Sequence, residues 1–449
     1  MALTRRHKIG WGLADLGVST FVVVKQMLVV SYLTTMLGVP VAVAGWATAM
    51  VLAFDVVTDP VIGVLSDRTR SRWGRRAPWI AGGAVVMAGA IVGMFAVPEA
   101  MTWQANMTWL VGFFALATLG FTCVAIPYGA MAGEMTRDRR ERTMMTAWRM
   151  TFASIGLLIA GAVLPAIAGD TRAGHVLGAA LMAPVIVAAI WGMLWATRDA
   201  PKIAEATALR PISAARLVLG NRPFALLVLL YAIMTLSVAL IAAGLKFAAD
   251  YLIGDSAGGP LGGLIGGLGV FSALFAMFIL GAVASQAFWA WASLRWGKLT
   301  ALAAGLVLYA LVLGATYFVL PAEGAGLMAL MFFGAGIANG AYQQIPWAMY
   351  PDHMDITRDA SGEALEGGFA AVWLFGQKVS NALGPALLGI ILAGAGWQES
   401  TGGRVDQSPE ALEALRRAMT IWPAGFFLVA LVGLVLIYRP VARGLHDHS

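Results

Sequence analysis

The stretch DVVTDPVIGVLSDRTRSRWGRRAPW, residues 55–79, passes from an apolar segment into a strongly basic one. Asp55 and Asp59 are four residues apart, so on a helix they share one face, with Thr58 beside them. Two carboxylates within a membrane-spanning helix are costly, and their presence there indicates an ion or substrate site. The arginines that follow predict a cytoplasmic loop that fixes the orientation of the chain.

The composition is that of an integral membrane protein. Of the 449 residues, 59% are hydrophobic and 12% are charged, whereas soluble domains carry about 25% charged residues. The single cysteine, Cys123, excludes an intrachain disulfide and a metal cluster built from thiolates. The first apolar segment is longer than the core of a cleavable signal peptide, and we therefore expect no such peptide.

Apolar segments of about 20 residues, the length of a transmembrane helix, recur along the whole chain. They predict twelve spans near 11–37, 41–65, 78–97, 107–132, 144–168, 176–197, 223–249, 262–292, 299–320, 326–350, 367–394 and 418–438. Most basic residues fall in alternate connecting segments, and the other connecting segments hold only Arg172, Arg404, Arg416 and Arg417. This bias predicts a multi-pass protein of the inner membrane with both termini cytoplasmic.

The two halves of the chain resemble each other. Three pairs of motifs recur six spans apart: Arg72-Trp73-Gly74-Arg75 with Arg295-Trp296-Gly297-Lys298, Ile126-Pro127-Tyr128 with Ile345-Pro346-Trp347, and Glu141/Trp148 with Glu366/Trp373. Coincidence is the alternative, since Trp and Gly are common in this sequence. Duplication predicts an N-terminal six-helix bundle at 1–198, a cytoplasmic linker at 199–222 and a C-terminal six-helix bundle at 223–449. This is the all-α plan of the major facilitator superfamily, with substrate held between the bundles.

Several motifs resemble those of one transporter family. They are Asp55-x-x-Thr58-Asp59-Pro60-x-x-Gly63, Asp67-Arg68-Thr69-Arg70-Ser71-Arg72-Trp73-Gly74-Arg75, Pro78-Trp79, Ile126-Pro127-Tyr128 and Gln377-Lys378. The sequence resembles the glycoside–pentoside–hexuronide:cation symporters, the melibiose-permease-like branch of the major facilitator superfamily. The resemblance implies secondary active transport by alternating access, coupled to Na+ or H+ and without a cofactor. The implied substrate is a glycoside or related carbohydrate.

The acidic pair in span 2 is the predicted cation site, because hard cations prefer oxygen ligands. Asp55 and Asp59 would bind Na+, and the resemblance adds the hydroxyl oxygens of Thr58 and Thr122. In a proton-coupled version the same two carboxylates would hold the proton. The alternative is that the aspartates pair with an intramembrane lysine or arginine and only lock the bundles.

Polar and aromatic residues of spans 5 and 11 are predicted to bind substrate. Lys378 is expected to face the interior, where it contacts substrate or acts as a counter-ion of the aspartates. Gln377 is expected to hydrogen-bond a substrate hydroxyl. Arg149 is predicted to bind substrate or to pair with the aspartates, with snorkelling as the alternative. Trp148 and Trp373 are predicted to stack on a sugar ring, with an interfacial belt as the alternative.

Span 1 departs from the best-known sugar carriers of the family. Those carriers bind sugar with one carboxylate in span 1 and one in span 4, and the matching positions here are Ser19 and Ala125. Asp15 lies one turn before Ser19 and is predicted to replace the first carboxylate in part, while nothing replaces the second. Lys25 is predicted to contact an acidic substrate, or to pair with Asp15 or Asp55, and the sequence does not separate these roles.

The charged cytoplasmic loops predict a gate between the bundles. Basic loops 2–3 and 4–5 and the acidic loop 10–11 carry complementary charges. The predicted gate residues are Asp67, Arg72, Glu141, Arg142, Asp352, Asp355 and Glu366. The alternative for any single arginine is a role in topology alone.

Other functional classes are less well supported by the sequence. The five histidines show neither a catalytic triad nor the spacing of a zinc site, so we expect no enzyme. A channel and a non-transporting sensor on the same fold are further alternatives. The main alternative is a cation-coupled carrier of lysolipids or of another amphiphilic or acidic solute. We expect the protein to act as a monomer in the lipid bilayer, with no nucleic-acid partner.

Overall fold

The helices of the protein follow the apolar segments of its sequence. A computed structural model describes residues 3–99, 102–136, 138–201, 220–256, 269–361 and 366–442. Within these ranges, eleven helical stretches are long and apolar enough to cross a membrane. The helix Glu366–Gly394 is 29 residues long but carries Gln377 and Lys378, and it is not among those eleven. Each of the twelve predicted spans therefore corresponds to a helix.

Six spans occupy the first part of the chain. Their elements are α1 (Arg5–Gly12), α2 (Ala14–Val23), a π-helical turn (Val24–Leu28), α3 (Val29–Thr35), α4 (Val41–Arg68), α5 (Ala77–Phe95), α6 (Trp103–Met135), α7 (Arg139–Leu158), a second π-helical turn (Ile159–Val163), α8 (Leu164–Ala168) and α9 (Arg172–Thr197). The hydroxyls of Thr4, Thr102 and Thr171 accept hydrogen bonds from backbone N–H groups of α1, α6 and α9. These caps fix where the three helices begin.

The second part of the chain is also helical apart from two short strands. Its elements are α10 (Arg222–Tyr251), β1 (Ile253–Ser256), α11 (Val270–Trp296), α12 (Lys298–Val319), β2 (Ala322–Gly324), α13 (Ala325–Ser361), α14 (Glu366–Gly394), α15 (Pro409–Met419), α16 (Ile421–Val432), a π-helical turn (Gly433–Tyr438) and α17 (Arg439–Val441). β1 and β2 pair in parallel. A break at Thr420 (φ −131°, ψ −69°) separates α15 from α16, which begins at Ile421, near the predicted boundary of the last span.

The motif repeated in the two halves has the same backbone feature in both copies. Gly74 has φ of 94° and Gly297 has φ of 81°. Only glycine adopts this region readily, which explains why both loops carry glycine after tryptophan. The predicted linker 199–222 lies largely in 202–219, outside the described residues, so its boundaries stay a prediction.

The described chain divides into two compact units. The first unit contains residues 3–201, with the gaps given above, and the segment Trp397–Asp406. The second unit contains 220–396, with its gaps, and 407–442. The first unit is therefore discontinuous in sequence.

The segment Trp397–Asp406, here called the return segment, is held by backbone groups of the first unit. Ser400 N donates to Thr34 O over 3.0 Å. The Glu399 carboxylate accepts from Val41 N over 3.1 Å at the start of α4. This carboxylate satisfies one of the N–H groups that every helix start leaves without an intrahelical partner.

Small residues bring α5 and α6 close together in the first unit. A Cβ atom placed on Gly120 would lie 2.6 Å from the backbone N of Met87, and one on Gly83 would lie 2.8 Å from Gly120 O. Glycine at such positions lets two membrane helices approach closely. The contact fixes α6 just before Thr122, a predicted site residue.

Candidate functional site

The four residues predicted for the cation site lie together in the first unit. Asp55, Thr58 and Asp59 come from α4, and Thr122 comes from α6. Thr122 Oγ1 lies 3.3 Å from Asp55 Oδ1 and 3.2 Å from Asp59 Oδ1. Thr58 Oγ1 lies 3.4 Å from Thr122 Oγ1. Two carboxylates and two hydroxyls therefore share one small volume, here called the acidic site.

The local sequence explains this arrangement. The three residues of α4 follow one another at helical spacing and share one face. Asp55 is 3% exposed and Thr122 is fully buried, whereas Asp59 is half-buried. Pro60, inside α4 directly after Asp59, has no N–H for the carbonyl of Val56. The helix thus has one hydrogen bond fewer beside the acidic site.

Lys25 joins the acidic site from span 1. Its Nζ donates to Asp55 Oδ2 over 3.1 Å and lies 4.2 Å from the centroid of the Phe121 ring. Lys25 belongs to the π-helical turn Val24–Leu28. Of the three roles that the sequence left open, the structure shows pairing with Asp55.

A second charged cluster joins α2, α6 and α7. Arg149 Nε donates to Asp15 Oδ2 over 2.6 Å, and the Tyr128 hydroxyl donates to the same oxygen over 2.7 Å. The Trp11 and Tyr128 rings have centroids 4.8 Å apart. The Arg149 side chain is 37% exposed, whereas that of Asp15 is 6% exposed. In this group, here called the Asp15–Arg149 cluster, the guanidinium is the accessible charge.

Arg149 and Lys25 thus have different carboxylate partners. The sequence allowed Arg149 to pair with the aspartates of span 2, but the structure pairs it with Asp15. Ser19, also on α2, is buried. Trp148, next to Arg149, is half-buried and its ring contacts Phe152, with centroids 6.3 Å apart.

Trp373, predicted to stack on substrate, lies in the aromatic core of the second unit. Its ring is 0% exposed and stacks on Tyr231 with centroids 4.2 Å apart and an interplanar angle of 13°. In this conformation the ring has no surface for a solute. Trp347, whose ring meets that of Trp373 at 5.7 Å, is 41% exposed and is the accessible tryptophan of this group.

The predicted polar residues of α14 lie next to that core. Gln377 Nε2 donates to the Tyr231 hydroxyl over 3.1 Å, and Trp347 Nε1 donates to the same oxygen over 3.1 Å. Lys378 is half-buried. The hydrogen bond to Tyr231 uses one of the two N–H groups of the Gln377 amide.

Asp67, a predicted gate residue of loop 2–3, belongs to a charge network that joins this loop to α6 of the same unit. Arg76 Nη2 lies 3.0 Å from Asp67 Oδ1, and Arg76 Nε donates to Glu134 Oε1 over 2.6 Å. Arg75 also pairs with Glu134. Arg72, predicted for the same network, lies over the ring of Trp73 at 5.8 Å. The network thus centres on Glu134.

Glu141 and Arg142 form a separate network at the start of α7. Glu141 accepts from the Thr136 hydroxyl over 2.7 Å and from Leu3 N over 2.8 Å, and Lys8 Nζ lies 3.1 Å away. The Thr136 hydrogen bond is the largest cause of a lowered pKa of Glu141, with desolvation acting in the opposite direction. Arg142 Nε donates to Thr136 O over 3.0 Å.

One gate residue of loop 10–11 can be placed within the second unit. Lys298 Nζ donates to both carboxylate oxygens of Asp352, over 3.0 and 2.9 Å. The side chains of Asp355 and Glu366 lie outside the described residues. Whether these loops meet as a gate remains a prediction.

Sequence reasoning missed several aromatic residues of these sites, among them Tyr128 and Phe121. Tyr128 completes the Asp15–Arg149 cluster, and Phe121 lies beside the Lys25 ammonium. Tyr128 belonged to the repeated motif Ile126-Pro127-Tyr128, so the repeat was the available signal. Phe121 directly precedes Thr122, but its direction depends on how α6 is rotated, which the sequence alone does not give.

Comparisons with known proteins agree with this architecture. A family model described as MFS/sugar transport protein matches residues 8–439. The chain is 26% identical to a putative glycoside/cation symporter (YagG) of Escherichia coli K12, covering 95% of this chain and 91% of that protein. It is 23% identical to the sodium-dependent lysophosphatidylcholine symporter 1-A of Danio rerio, covering 88% of this chain and 78% of that protein.

Solved structures show the same fold. A bacterial homologue of the human lysosomal transporter Spinster, in an inward-facing and unoccupied conformation, has a TM-score of 0.68 at 15% identity, covering 98% of this chain and 96% of that chain. A proton-dependent oligopeptide transporter has a TM-score of 0.70 at 12% identity, covering 98% and 100%.

These similarities confirm the predicted all-helical major facilitator fold. They also confirm that the protein is a multi-pass membrane transporter of small molecules and not an enzyme. The match over residues 8–439 covers almost the whole chain, and with it the charged groups described above. The chain belongs to the MFS/sugar transport protein family.

Proposed function

We propose that the protein is a symporter of the inner membrane that uses a gradient of Na+ or H+ to drive uptake of a glycoside or related carbohydrate. The observation that carries the proposal is the position of the Thr122 hydroxyl, within 3.3 Å of both Asp55 and Asp59. A site of carboxylate and hydroxyl oxygens suits a hard monovalent cation or a proton. The similarity to a putative glycoside/cation symporter supports the same class of function.

The Asp15–Arg149 cluster is the proposed substrate contact in the first unit. A carboxylate and a guanidinium bind vicinal hydroxyls through charge-assisted hydrogen bonds, and the rings of Trp11 and Tyr128 offer apolar faces for a sugar ring. Asp15 lies one helical turn before Ser19, where the family carries its sugar-binding carboxylate. The cluster thus supplies within span 1 the charge that Ser19 lacks.

A second candidate substrate is an acidic or amphiphilic organic solute. The Arg149 side chain is 37% exposed beside a carboxylate that is 6% exposed, and its positive charge would attract an anionic solute. Relatives include a putative sulfoquinovose importer of Salmonella typhimurium and the zebrafish lysophosphatidylcholine symporter. Such solutes need a cationic contact more than they need several hydroxyl contacts.

Transport by alternating access requires cytoplasmic contacts that break and reform. The networks around Glu134 and Glu141 and the pair Lys298–Asp352 each lie within one unit, so the proposed gate between the bundles rests on the complementary charges of the loops. We propose that both termini are cytoplasmic and that a monomer is sufficient. No nucleic-acid partner is part of the proposal.

Uptake into proteoliposomes tests the proposed function. We expect a labelled carbohydrate to accumulate above its external concentration when a Na+ or pH gradient is imposed, and accumulation to collapse when an ionophore dissipates that gradient. A parallel panel contains sugar acids, sulfonated sugars and lysolipids. Accumulation of only the charged or amphiphilic solutes would replace the carbohydrate proposal. Equilibration without accumulation under every gradient would contradict symport.

The hydroxyl of Thr122 is expected to contribute directly to cation affinity. Thr122→Val removes this hydroxyl at nearly constant shape, and a hydrogen bond to a charged group contributes about 1.5–3 kcal/mol. We therefore expect the cation concentration for half-maximal uptake to rise roughly ten- to hundredfold. Thr122→Ser, the matched control, is expected to stay within about threefold. An equal cation concentration for half-maximal uptake in all three proteins would show that Thr122 does not contribute to cation binding.

A further inference from the structure

The ammonium group of Lys25 is buried among a carboxylate and aromatic rings, which all attract a cation. It lies 3.1 Å from Asp55 Oδ2, and the two side chains are 8% and 4% exposed. Phe121 and Phe21 present their rings to it at 4.2 and 5.6 Å, and aromatic faces attract cations electrostatically. The Lys25 ammonium therefore does not reach the membrane surface, and snorkelling does not account for its position.

The backbone also marks this position. Lys25 lies in a π-helical turn, Val24–Leu28, between two α-helical segments of span 1. A π-helical turn carries an additional residue relative to an α-helical turn, so it changes the direction of the side chains within it. Such turns are rare and occur often at functional sites. The irregular turn places Lys25 against Asp55 on α4.

The acidic site fits a free Na+ only in part. Its carboxylate and hydroxyl oxygens are of the right kind, but one oxygen of Asp55 already binds a positive charge of the chain itself. Two unit charges about 4 Å apart near a protein surface repel strongly enough to weaken binding by roughly a thousandfold. Asp55 therefore cannot bind the Lys25 ammonium and a sodium ion tightly at the same time.

We infer that Lys25 is a tethered counter-ion that takes the place of Na+ at Asp55, so that the wild-type protein binds no Na+ at the acidic site. This inference rests on the proposed cation site and narrows the choice of coupling ion. It also assigns Lys25 a role distinct from contact with substrate. A cation attached to the chain neutralises Asp55 permanently, whereas a free ion would do so only when bound.

The inference differs from a simple structural ion pair in what happens when the lysine is removed. Without Lys25, Asp55 lacks the attached positive charge, and Thr122 still lies beside both carboxylates. A free Na+ would then no longer compete with the Lys25 ammonium for Asp55. Removing Lys25 should therefore create Na+ binding, whereas removing one partner of a purely structural pair should only destabilise the fold.

Thermal unfolding of the purified full-length protein tests the inference. Tm is measured in NaCl and in choline chloride at equal ionic strength, for wild type, Lys25→Met, Lys25→Gln and Lys25→Met/Asp55→Asn. A ligand that binds only the folded state raises Tm by mass action. We expect wild type to show equal Tm in the two salts. We expect Lys25→Met and Lys25→Gln to gain a saturable rise in Tm with Na+, which the double variant loses.

Lys246→Met is the matched control. Lys246 is also a lysine within a span, but it pairs with Asp250 on the same helix at 2.6 Å in the second unit. This variant should show no response to Na+, like wild type. If Lys246→Met responded to Na+ as strongly as Lys25→Met, the effect would come from the loss of any lysine within a span. That result would overturn the inference.

The remaining outcomes separate this inference from the proposed function. A saturable Na+ stabilisation of wild type overturns the inference and leaves the proposed cation site in place. Lack of any Na+ response in wild type and in both Lys25 variants overturns the inference and also counts against a Na+ site at these carboxylates. Equilibrium binding of radioactive sodium to wild type decides the matter even if the variants do not fold, since saturable binding would overturn the inference.

Discussion

Asp59→Asn is expected to reduce cation-driven accumulation of solute to the level of protein-free vesicles while the protein remains folded. The amide has nearly the same size as the carboxylate and keeps the contact with Thr122. In the wild type, Thr122 Oγ1 lies 3.2 Å from Asp59 Oδ1. The substitution removes the negative charge that attracts Na+ or H+ to Asp59. Because Asp59 is half-buried, we expect little change in Tm.

Asp55→Asn is expected to abolish accumulation as well, but with an additional loss of stability. Its carboxylate pairs with the buried ammonium of Lys25, and breaking a buried pair by removing one partner costs about 3–5 kcal/mol. Lys25→Met in the same chain removes the unpaired charge and is expected to restore much of the stability. The expected loss of stability follows from the Asp55–Lys25 pair in the structure and not from the sequence motif.

The measurement is gradient-driven uptake together with Tm for each variant. Asp250→Asn is the control, because Asp250 belongs to an i,i+4 pair with Lys246 in the second unit, apart from the acidic site. Normal cation-driven accumulation in Asp55→Asn and Asp59→Asn would exclude the acidic site as the coupling site. Loss of folding in Asp59→Asn would show that Asp59 has mainly a structural role.

Asp15→Asn and Arg149→Lys are expected to weaken solute binding by roughly ten- to hundredfold, the loss of a charge-assisted hydrogen bond. Asp15 accepts from both Arg149 and Tyr128, so its neutralisation releases two positioned groups at once. Lysine keeps the charge of Arg149 but lacks the planar fork that orients the guanidinium. Both variants should therefore lose solute affinity while retaining whatever response to cations the wild type has.

Solute-induced shifts in Tm and the solute concentration for half-maximal uptake measure this effect. Arg172→Lys is the matched control, because Arg172 binds only the Met36 carbonyl among its described hydrogen bonds, over 2.9 Å at its Nε atom. Wild-type solute affinity in Asp15→Asn and Arg149→Lys would show that the cluster only joins helices. An equal loss in Arg172→Lys would point to a general effect of arginine replacement.

The sequence predicted the helices and the grouping of Asp55, Thr58 and Asp59 on one helix face, because both depend on local spacing. Twelve apolar segments became twelve helices, and the spacing of Asp55, Thr58 and Asp59 placed them on one face of α4. The position of Thr122 came from the family resemblance and not from spacing, since it lies on another helix. Its contact with both aspartates required the close approach of helices that only the structure shows.

The partners of the buried charges could not be predicted from the sequence. Lys25 had two candidate carboxylates, and the choice of Asp55 depends on a π-helical turn that no hydropathy pattern reveals. Arg149 was considered a partner for span 2, yet it binds Asp15 of span 1. Trp373 was expected to line a cavity but lies in a core. The hydrophobicity of the sequence does not distinguish a ring that packs on its neighbours from one that binds a ligand.

The return segment has a consequence for the order of synthesis. Residues 397–406 leave the ribosome after most of the second unit, long after the helices of the first unit. Until then, the carbonyl of Thr34 and the amide of Val41 lack the partners that Ser400 and Glu399 later supply. Chains are made from the N-terminus and domains generally fold in that order. In this protein, the unit that is begun first is completed only after most of the other unit has been made.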